Sequence, residues 1–266
     1  MASKPLFSIV TVTLNCREDA LATAKSVASQ NFQDYEYIIK DGGSTDGTVQ
    51  RLRKQGFSVH EEKDNGIYHA MNQALELCHG KYVLFLNAGD IFFESDVLQQ
   101  LVAHIRSTGK ADIYYGDVVM NIPHPNAHPQ EHRRLRRRMR YPAHVNRFFL
   151  YRRGLCHQAW IVRREVYRKD PFDLQLKIMA DYDFLLNQAL RKKTRMAHIP
   201  LVMVDYKGMG SSEQLRDEWL KDRRRVVRKY FPPCESLIYE AVRLSAKFLL
   251  NAAYKAGLFL IDLESS

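Results

Sequence analysis

Along the first half of the chain, apolar and polar positions alternate between two rhythms. Phe7-Ser8-Ile9-Val10-Thr11-Val12-Thr13-Leu14 is β-branched and mostly apolar, the pattern of a first strand. Over residues 19–30 the apolar positions (Leu21, Ala24, Val27, Ala28) fall at helical spacing, which predicts a helix with Asp19 as its N-cap. The same two patterns then recur. Residues 35–40 predict a strand, 48–55 a helix, 57–61 a short strand and 68–77 a helix. The run Tyr82-Val83-Leu84-Phe85-Leu86 has the length and composition of a buried parallel strand. A helix over 95–106 and a strand over 113–119 follow. This βαβαβ order implies an α/β fold with a mostly parallel central sheet flanked by helices, joined by right-handed crossovers.

The second half is patterned differently. Residues 122–132 are rich in Pro, His and Asn, and His124, His128 and His132 recur every fourth position. Metal ligands on a helix would show that spacing, but Pro123, Pro125 and Pro129 argue against a helix, so a surface loop is expected. Trp160-Ile161-Val162 is an apolar segment preceded by Cys156-His157-Gln158-Ala159. A helix starts near Ala180-Asp181-Tyr182-Asp183, with both carboxylates in the first turn, where the helix dipole favours them. A strand over 199–204 leads into a Gly- and Ser-rich stretch at 206–212, suited to a mobile loop that closes over a ligand. A charged helix over 212–230 is broken by Pro232-Pro233. The tail 236–261 repeats Leu237, Ile238, Ala241, Leu244, Phe248, Leu249, Ala252 and Leu258 with Arg243, Lys247 and Lys255 interleaved. That pattern fits a helix on an anionic membrane surface, and equally one packed on the domain or on a second subunit of a homodimer.

Composition narrows the partners. A chain of 266 residues with 45% hydrophobic and 26% charged positions can bury a full core. Its net charge of +10 points to anionic partners such as phosphates, a membrane surface or nucleic acid. The excess is local: between Gln130 and Asp170 thirteen Arg and Lys face three carboxylates. No nucleic-acid-binding module accompanies the basic run 133–140, so no nucleic-acid partner is expected. Such a run is a solvated face or, functionally, a contact to diphosphate or lipid phosphate. Cys16, Cys78, Cys156 and Cys234 form neither a metal spacing nor a disulfide frame, which suits reduced thiols in the cytoplasm. The chain enters its first strand within a few residues of Met1, leaving no room for a signal peptide, and no apolar run approaches the roughly 20 residues of a membrane span.

Carboxylates stand at successive strand ends: Asp41, Asp64 and Asp90. Open α/β sheets bind ligands there. The turn Asn15-Cys16-Arg17-Glu18-Asp19 has no glycine, which argues against dinucleotide-binding and P-loop folds. Asp90 offers the hard oxygen that Mg²⁺ or Mn²⁺ prefers when it also holds a diphosphate; the structural alternative is a helix cap. Asp41 and Asp46 suit hydrogen bonds to a base or to ribose hydroxyls, or alternatively an Asx-turn.

Four stretches carry a resemblance: Thr11-Val12-Thr13-Leu14-Asn15, Ile38-Ile39-Lys40-Asp41-Gly42-Gly43-Ser44-Thr45-Asp46-Gly47-Thr48, Asp64-Asn65-Gly66-Ile67-Tyr68-His69-Ala70-Met71-Asn72 and Phe85-Leu86-Asn87-Ala88-Gly89-Asp90. In this order, and over residues 7–190, the chain resembles the family 2 glycosyltransferases of GT-A fold, in particular their bacterial polysaccharide-assembly branch, including the colanic-acid type. The resemblance implies an inverting transfer of a sugar from a UDP- or GDP-sugar to a glycan or polyprenyl-linked acceptor, assisted by a divalent cation. It implies donor contacts at Thr13, Asn15, Asp41, Asp64, Gly66, Asn87, Ala88, Gly89, His157 and Gln158, with Asp41 at the base and Asp64 near the nucleotide. Asp90 would ligate the metal, Asp181 would be the general base and Asp183 its orienting neighbour. Many relatives have two adjacent aspartates at the metal motif; Gly89 stands here in place of one, so the metal would be held mainly through the nucleotide. The implied organisation is a GT-A domain over 1–210, with a nucleotide-sugar half (1–120) and an acceptor half (121–210), and a helical extension over 211–266. The expected location is cytoplasmic, with peripheral contact to the membrane's inner face. Two rivals are a sugar-nucleotidyltransferase, which needs a glycine-rich first loop, and a non-catalytic basic binding protein, which leaves the four motifs without a purpose.

Overall fold

The computed structural model describes residues 4–123, 134–208 and 215–255. The run from Phe7 forms β1 (Phe7–Thr13), buried at every position. It pairs in parallel with β2 (Tyr35–Asp41) on one side and β4 (Tyr82–Phe85) on the other, and β2 carries the short β3 (His60–Glu61). The in-register pair Thr13–Asp41 sets the carboxyl ends of β1 and β2 side by side. Between these strands run α1 (Arg17–Ala28), α2 (Thr48–Lys54) and α3 (Ile67–Glu76). Helix α1 buries Leu21, Ala24 and Val27 of the stripe its spacing predicts, with Ala20 in addition, while Ala28 at its last turn is exposed. Asp19 does not cap it. Cys16 holds the N-cap position, and Asp19 sits inside the first turn with its carboxylate free to reach across to another loop.

The expected mostly parallel sheet is mixed. Beyond β4 come β5 (Ile91–Phe92), α4 (Val97–Ser107), β6 (Ile113–Pro123), β7 (Arg134–Met139), α5 (Arg147–Arg152), β8 (Trp160–Arg163) and α6 (Arg164–Lys169). They are followed by α7 (Ala180–Leu186), which runs on into a wider π-type turn, and by β9 (Met196–Tyr206). The sheet order is β3-β2-β1-β4-β8-β6-β9-β5, with β7 on β6. The pairings β4–β8, β6–β8, β6–β7 and β5–β9 are antiparallel, because the chain re-enters the sheet without a further βαβ unit. This reversal makes the site. Strand β8 pairs with β4 as Tyr82–Arg163 and Val83–Val162, so the residues that precede β8 arrive at the carboxyl end of β4.

Helices α8 (Arg216–Tyr230) and α9 (Pro233–Lys255) complete the described chain. The first turns of α9 pack on the domain: Arg147 donates to both oxygens of Glu235 at 2.7 and 2.6 Å, Tyr151 donates to Glu240, and the Tyr239 ring meets Phe148 and Tyr151. The packed alternative for the tail therefore holds over those turns, while Leu237, Ile238, Val242 and Leu244 are exposed. No helix among the described residues is long and apolar enough to cross a membrane. The three histidines at 124, 128 and 132, Arg133, and the glycine and serines at 210–212 lie outside the described residues.

Candidate active site

A cleft of about 920 Å³ opens at the carboxyl ends of β1 and β4. Thr13, Asp64, Gly66, Asn87, Ala88, Asp90, His157, Gln158 and Asp181 line it, so nine of the sequence-predicted site residues come together. The turn that carries Asn87–Asp90 is held from below by α1. Thr23, buried in that helix, accepts from Gly89 N at 2.9 Å and donates to the Asp90 carbonyl at 2.8 Å.

Asp90 is nearly inaccessible, 4% exposed. Its Oδ2 accepts from Gln158 Nε2 at 2.9 Å and its Oδ1 from the Lys207 backbone N–H at 3.0 Å. Burial outweighs these two hydrogen bonds and pushes the carboxyl up to about 6. A bound cation would reverse that balance by favouring the charged form.

Asp181 is held on three sides. Its Oδ1 accepts from its neighbour's N–H, Tyr182 N, at 2.8 Å and from the Tyr68 hydroxyl at 2.8 Å, whose single hydrogen is shared with the Ile178 carbonyl at 2.6 Å. Its Oδ2 faces His157 Nδ1 at 3.0 Å. The far nitrogen of the imidazole, Nε2, meets Asn87 Nδ2 at 3.1 Å. An amide N–H can only donate, so His157 is the tautomer with hydrogen on Nδ1, and that hydrogen points at Asp181. Burial would raise the Asp181 carboxyl, but the His157 contact, the Tyr68 hydrogen bond and the Tyr182 N–H together hold it below the usual carboxylate range. Burial and the Asp181 charge push the Tyr68 phenol well above its ordinary value, so it stays a donor. The arrangement is an ionised carboxylate, 22% exposed, whose direction is fixed by three donors. Asn87 Oδ1 is buried without a partner and is the acceptor left over at this junction.

Other expected residues do not present side chains to the cleft. Asp41 is fully buried, and its carboxylate accepts from Gly43 N, Ser44 N and Ser44 Oγ, the Asx-turn alternative. Asn15 accepts from Thr45 N and so braces that turn against the end of β1. Asp46 holds the start of α2 by accepting from the Thr48 hydroxyl and N–H, and the hydroxyl's hydrogen bond is the main cause that lowers its carboxyl. Gly89 contributes backbone with a φ of +101°, a left-handed conformation that suits glycine. Asp183 faces the other way: both its oxygens accept from Lys229 Nζ of α8, at 2.8 and 2.9 Å. Asp183→Asn is therefore expected to lower the unfolding free energy by about 1 kcal/mol, a modest value because Lys229 is half in solvent. Urea titration checks this, and a change in nucleotide affinity beyond twofold would contradict the placement.

Sequence reasoning missed Tyr68, Lys207 and Lys40. Tyr68 lies inside a quoted motif, but periodicity counts a helical tyrosine as core, and only the fold brings it to Asp181. Lys40 left a readable signal, a charge in an apolar strand. It is fully buried and paired with Asp64, which also accepts from Gly66 N.

Comparison with known proteins settles the class. The sequence profile described as "Glycosyl transferase family 2" matches residues 8–170. The chain belongs to that family. This glycosyltransferase is 32% identical over 228 residues to a protein of Mycobacterium bovis (strain BCG / Pasteur 1173P2) named "PGL/p-HBAD biosynthesis glycosyltransferase", covering 82% of this chain and 83% of that one. Its fold matches S. aureus TarS 1-349 in complex with UDP-GlcNAc, with a TM-score of 0.64 at 18% identity over 88% of this chain and 69% of that one. It also matches the mannosyltransferase PcManGT from Pyrobaculum calidifontis in complex with GDP-Man and Mn²⁺, with a TM-score of 0.61 at 16% identity over 97% and 82% of the two chains. The enzyme has the mixed-sheet GT-A architecture.

The donor set of the cleft fits one kind of cation site and not another. Among the described residues no group of three or more His, Cys, Asp or Glu could hold an ion. Mg²⁺ and Mn²⁺ are, however, commonly bound by one carboxylate together with substrate phosphates and waters. Asp90 alone suits that mode.

Proposed function

We propose that the enzyme is an inverting glycosyltransferase that moves a sugar from a UDP- or GDP-sugar to a hydroxyl of a glycan or lipid-linked acceptor, with Asp181 as general base. The observation that carries this reading is the state of the four carboxylates that line the cleft. Asp64 is paired with the buried Lys40, and Asp19 is paired with Lys207. Asp90 is pushed toward neutrality by burial. Asp181 is ionised, fixed in direction and faces no lysine or arginine partner among the described residues.

The chemistry follows from that state. The acceptor hydroxyl approaches Asp181 and its oxygen attacks the anomeric carbon. The bond from that carbon to the diphosphate breaks, the electron pair leaving with the diphosphate, and the hydroxyl proton passes to Asp181. A single displacement from the opposite face inverts the anomeric centre. A divalent cation at Asp90, when bound, supplies Lewis-acid stabilisation of the departing charge. Met120, Met139, Tyr141 and Trp219 also line the cleft, together with Arg152 and Arg153, and this apolar surface with cations suits a lipid-linked acceptor.

Two measurements test this. UDP- and GDP-sugars, UDP-GlcNAc and GDP-Man first, are screened for release of the nucleoside diphosphate, and the product's anomeric configuration is read by NMR. Retention of configuration, or release from no donor, defeats the reading.

His157 has a separate expected effect. His157→Ala should lower turnover by about tenfold to a hundredfold through loss of carboxylate orientation. His157 holds the Asp181 pKa down, so its removal lets burial raise that pKa. The acid limb of the rate profile should then move to higher pH. An unmoved limb with a raised KM for the donor would make His157 a sugar contact instead.

A further inference from the structure

Gly89 occupies the place where the second aspartate of the metal motif is expected, and the structure has filled that place with something else. A Cβ on Gly89 would lie 3.0 Å from Lys207 Cδ and 3.6 Å from Asp19 Oδ2. The two side chains form an ion pair, Lys207 Nζ donating to Asp19 Oδ1 at 2.6 Å and Oδ2 at 2.7 Å. Lys207 is also tied through its backbone N–H to Asp90 Oδ1. A cation is thus anchored by its main chain to the carboxylate at the end of β4, while its ammonium rests on α1. Asp19, Asp90 and Lys207 all line the cleft.

We propose that Lys207 is a diphosphate-binding residue of the donor site, and that Asp19 is the carboxylate on which its ammonium rests until a nucleotide diphosphate takes it over. This deepens the reading of the cleft as a nucleotide-sugar site and rests on it. The physical case has three parts. A diphosphate brings several negative charges, and one carboxylate-bound cation leaves part of them uncompensated. Lysine binds phosphate as a compact point charge on a flexible stem, and four carbons of reach let the ammonium turn while the main chain stays on Asp90. The resting pair is half in solvent, with side chains 48% and 39% exposed, and exposed ion pairs are weak enough to be exchanged for a more highly charged partner. An aspartate at position 89 would crowd this lysine, so the glycine and the lysine form one device.

Variants of the two partners separate the proposal from its rival by the sign of the effect. UDP and GDP binding to the full chain is measured by calorimetry, once in EDTA and once in MnCl₂. Lys207→Met should weaken binding in EDTA by about tenfold or more, with Lys207→Arg restoring most of it. Asp19→Asn removes one carboxylate that competes for the ammonium and should tighten binding in EDTA by roughly twofold to fivefold. Unchanged affinity in Lys207→Met overturns the proposal. So does weaker Mn²⁺-supported binding in Asp19→Asn, which would make Asp19 a second metal ligand. If the unaltered enzyme binds neither nucleotide in either condition, the nucleotide-sugar reading itself falls, an outcome distinct from normal binding that the variants leave unchanged. Thermal unfolding of each variant confirms that the changes, all at half-exposed positions, leave the fold intact.

Discussion

Asp181→Asn should reduce turnover by about 10²–10⁴-fold while nucleotide affinity stays within about twofold. The amide keeps the shape of the carboxylate and can still accept from Tyr68 and Tyr182 N, but it cannot take the acceptor's proton at neutral pH. Its NH₂ group would also face His157 Nδ1–H, so the imidazole must change tautomer and lose the hydrogen bond from Asn87. That second effect adds to the first, and it predicts a deeper loss than for His157→Ala. The informative comparison is with Asp183→Asn, whose carboxylate points away from the cleft to Lys229. A dead Asp183 variant beside a near-normal Asp181 variant would mean that the base is the wrong carboxylate. Loss of nucleotide binding in Asp181→Asn would move that residue into the donor site.

Asp64→Ala should destabilise the fold by about 3–5 kcal/mol, the usual consequence of leaving one member of a buried ion pair unpaired. Lys40 is wholly buried beneath the cleft, the Asp64 side chain is 6% exposed, and the two form a direct pair. Asp64 oxygens also fill the space a side chain at Gly42 would need, so the turn after β2 is packed on this pair. The charge at Asp64 is thus a structural requirement as well as a cleft group. The double variant Lys40→Met, Asp64→Leu, which replaces both charges with apolar volume, should recover much of the loss. Urea unfolding of the three proteins decides: if the single and double variants are equally unstable, the pair's charge is not what Asp64 supports.

These two residues show how far sequence reading reached. The strand pattern located β1, β2 and β4 to within a residue or two at each end, since local periodicity needs no partner to be read. The motif at Asn87–Asp90 marked the ligand edge for the same reason: a strand that runs out into a carboxylate is a local event. Asp41 was located by the same signal, yet its carboxylate is absorbed by three donors of its own turn. Asp181 and Asp183 look interchangeable in a helical first turn. Two residues of α-helix rotate a side chain by roughly 200°, so one faces the cleft and the other faces α8.

What the sequence determined by itself is therefore the strands and helices of the first βαβαβ half, the family likeness and the edge of the sheet that carries chemistry, whereas β5, β7, α5 and α6 carried no pattern that was read. What tertiary structure alone decided is which groups share a proton or a charge. The antiparallel return of β8 beside β4 sets His157 between Asn87 and Asp181, and Gln158 on Asp90. The loop after β9 brings Lys207 to Asp19, a contact across 188 positions of sequence. Hydrogen bonds and ion pairs act over about 3 Å in space, and no periodicity along the chain encodes which distant segments will meet at that range.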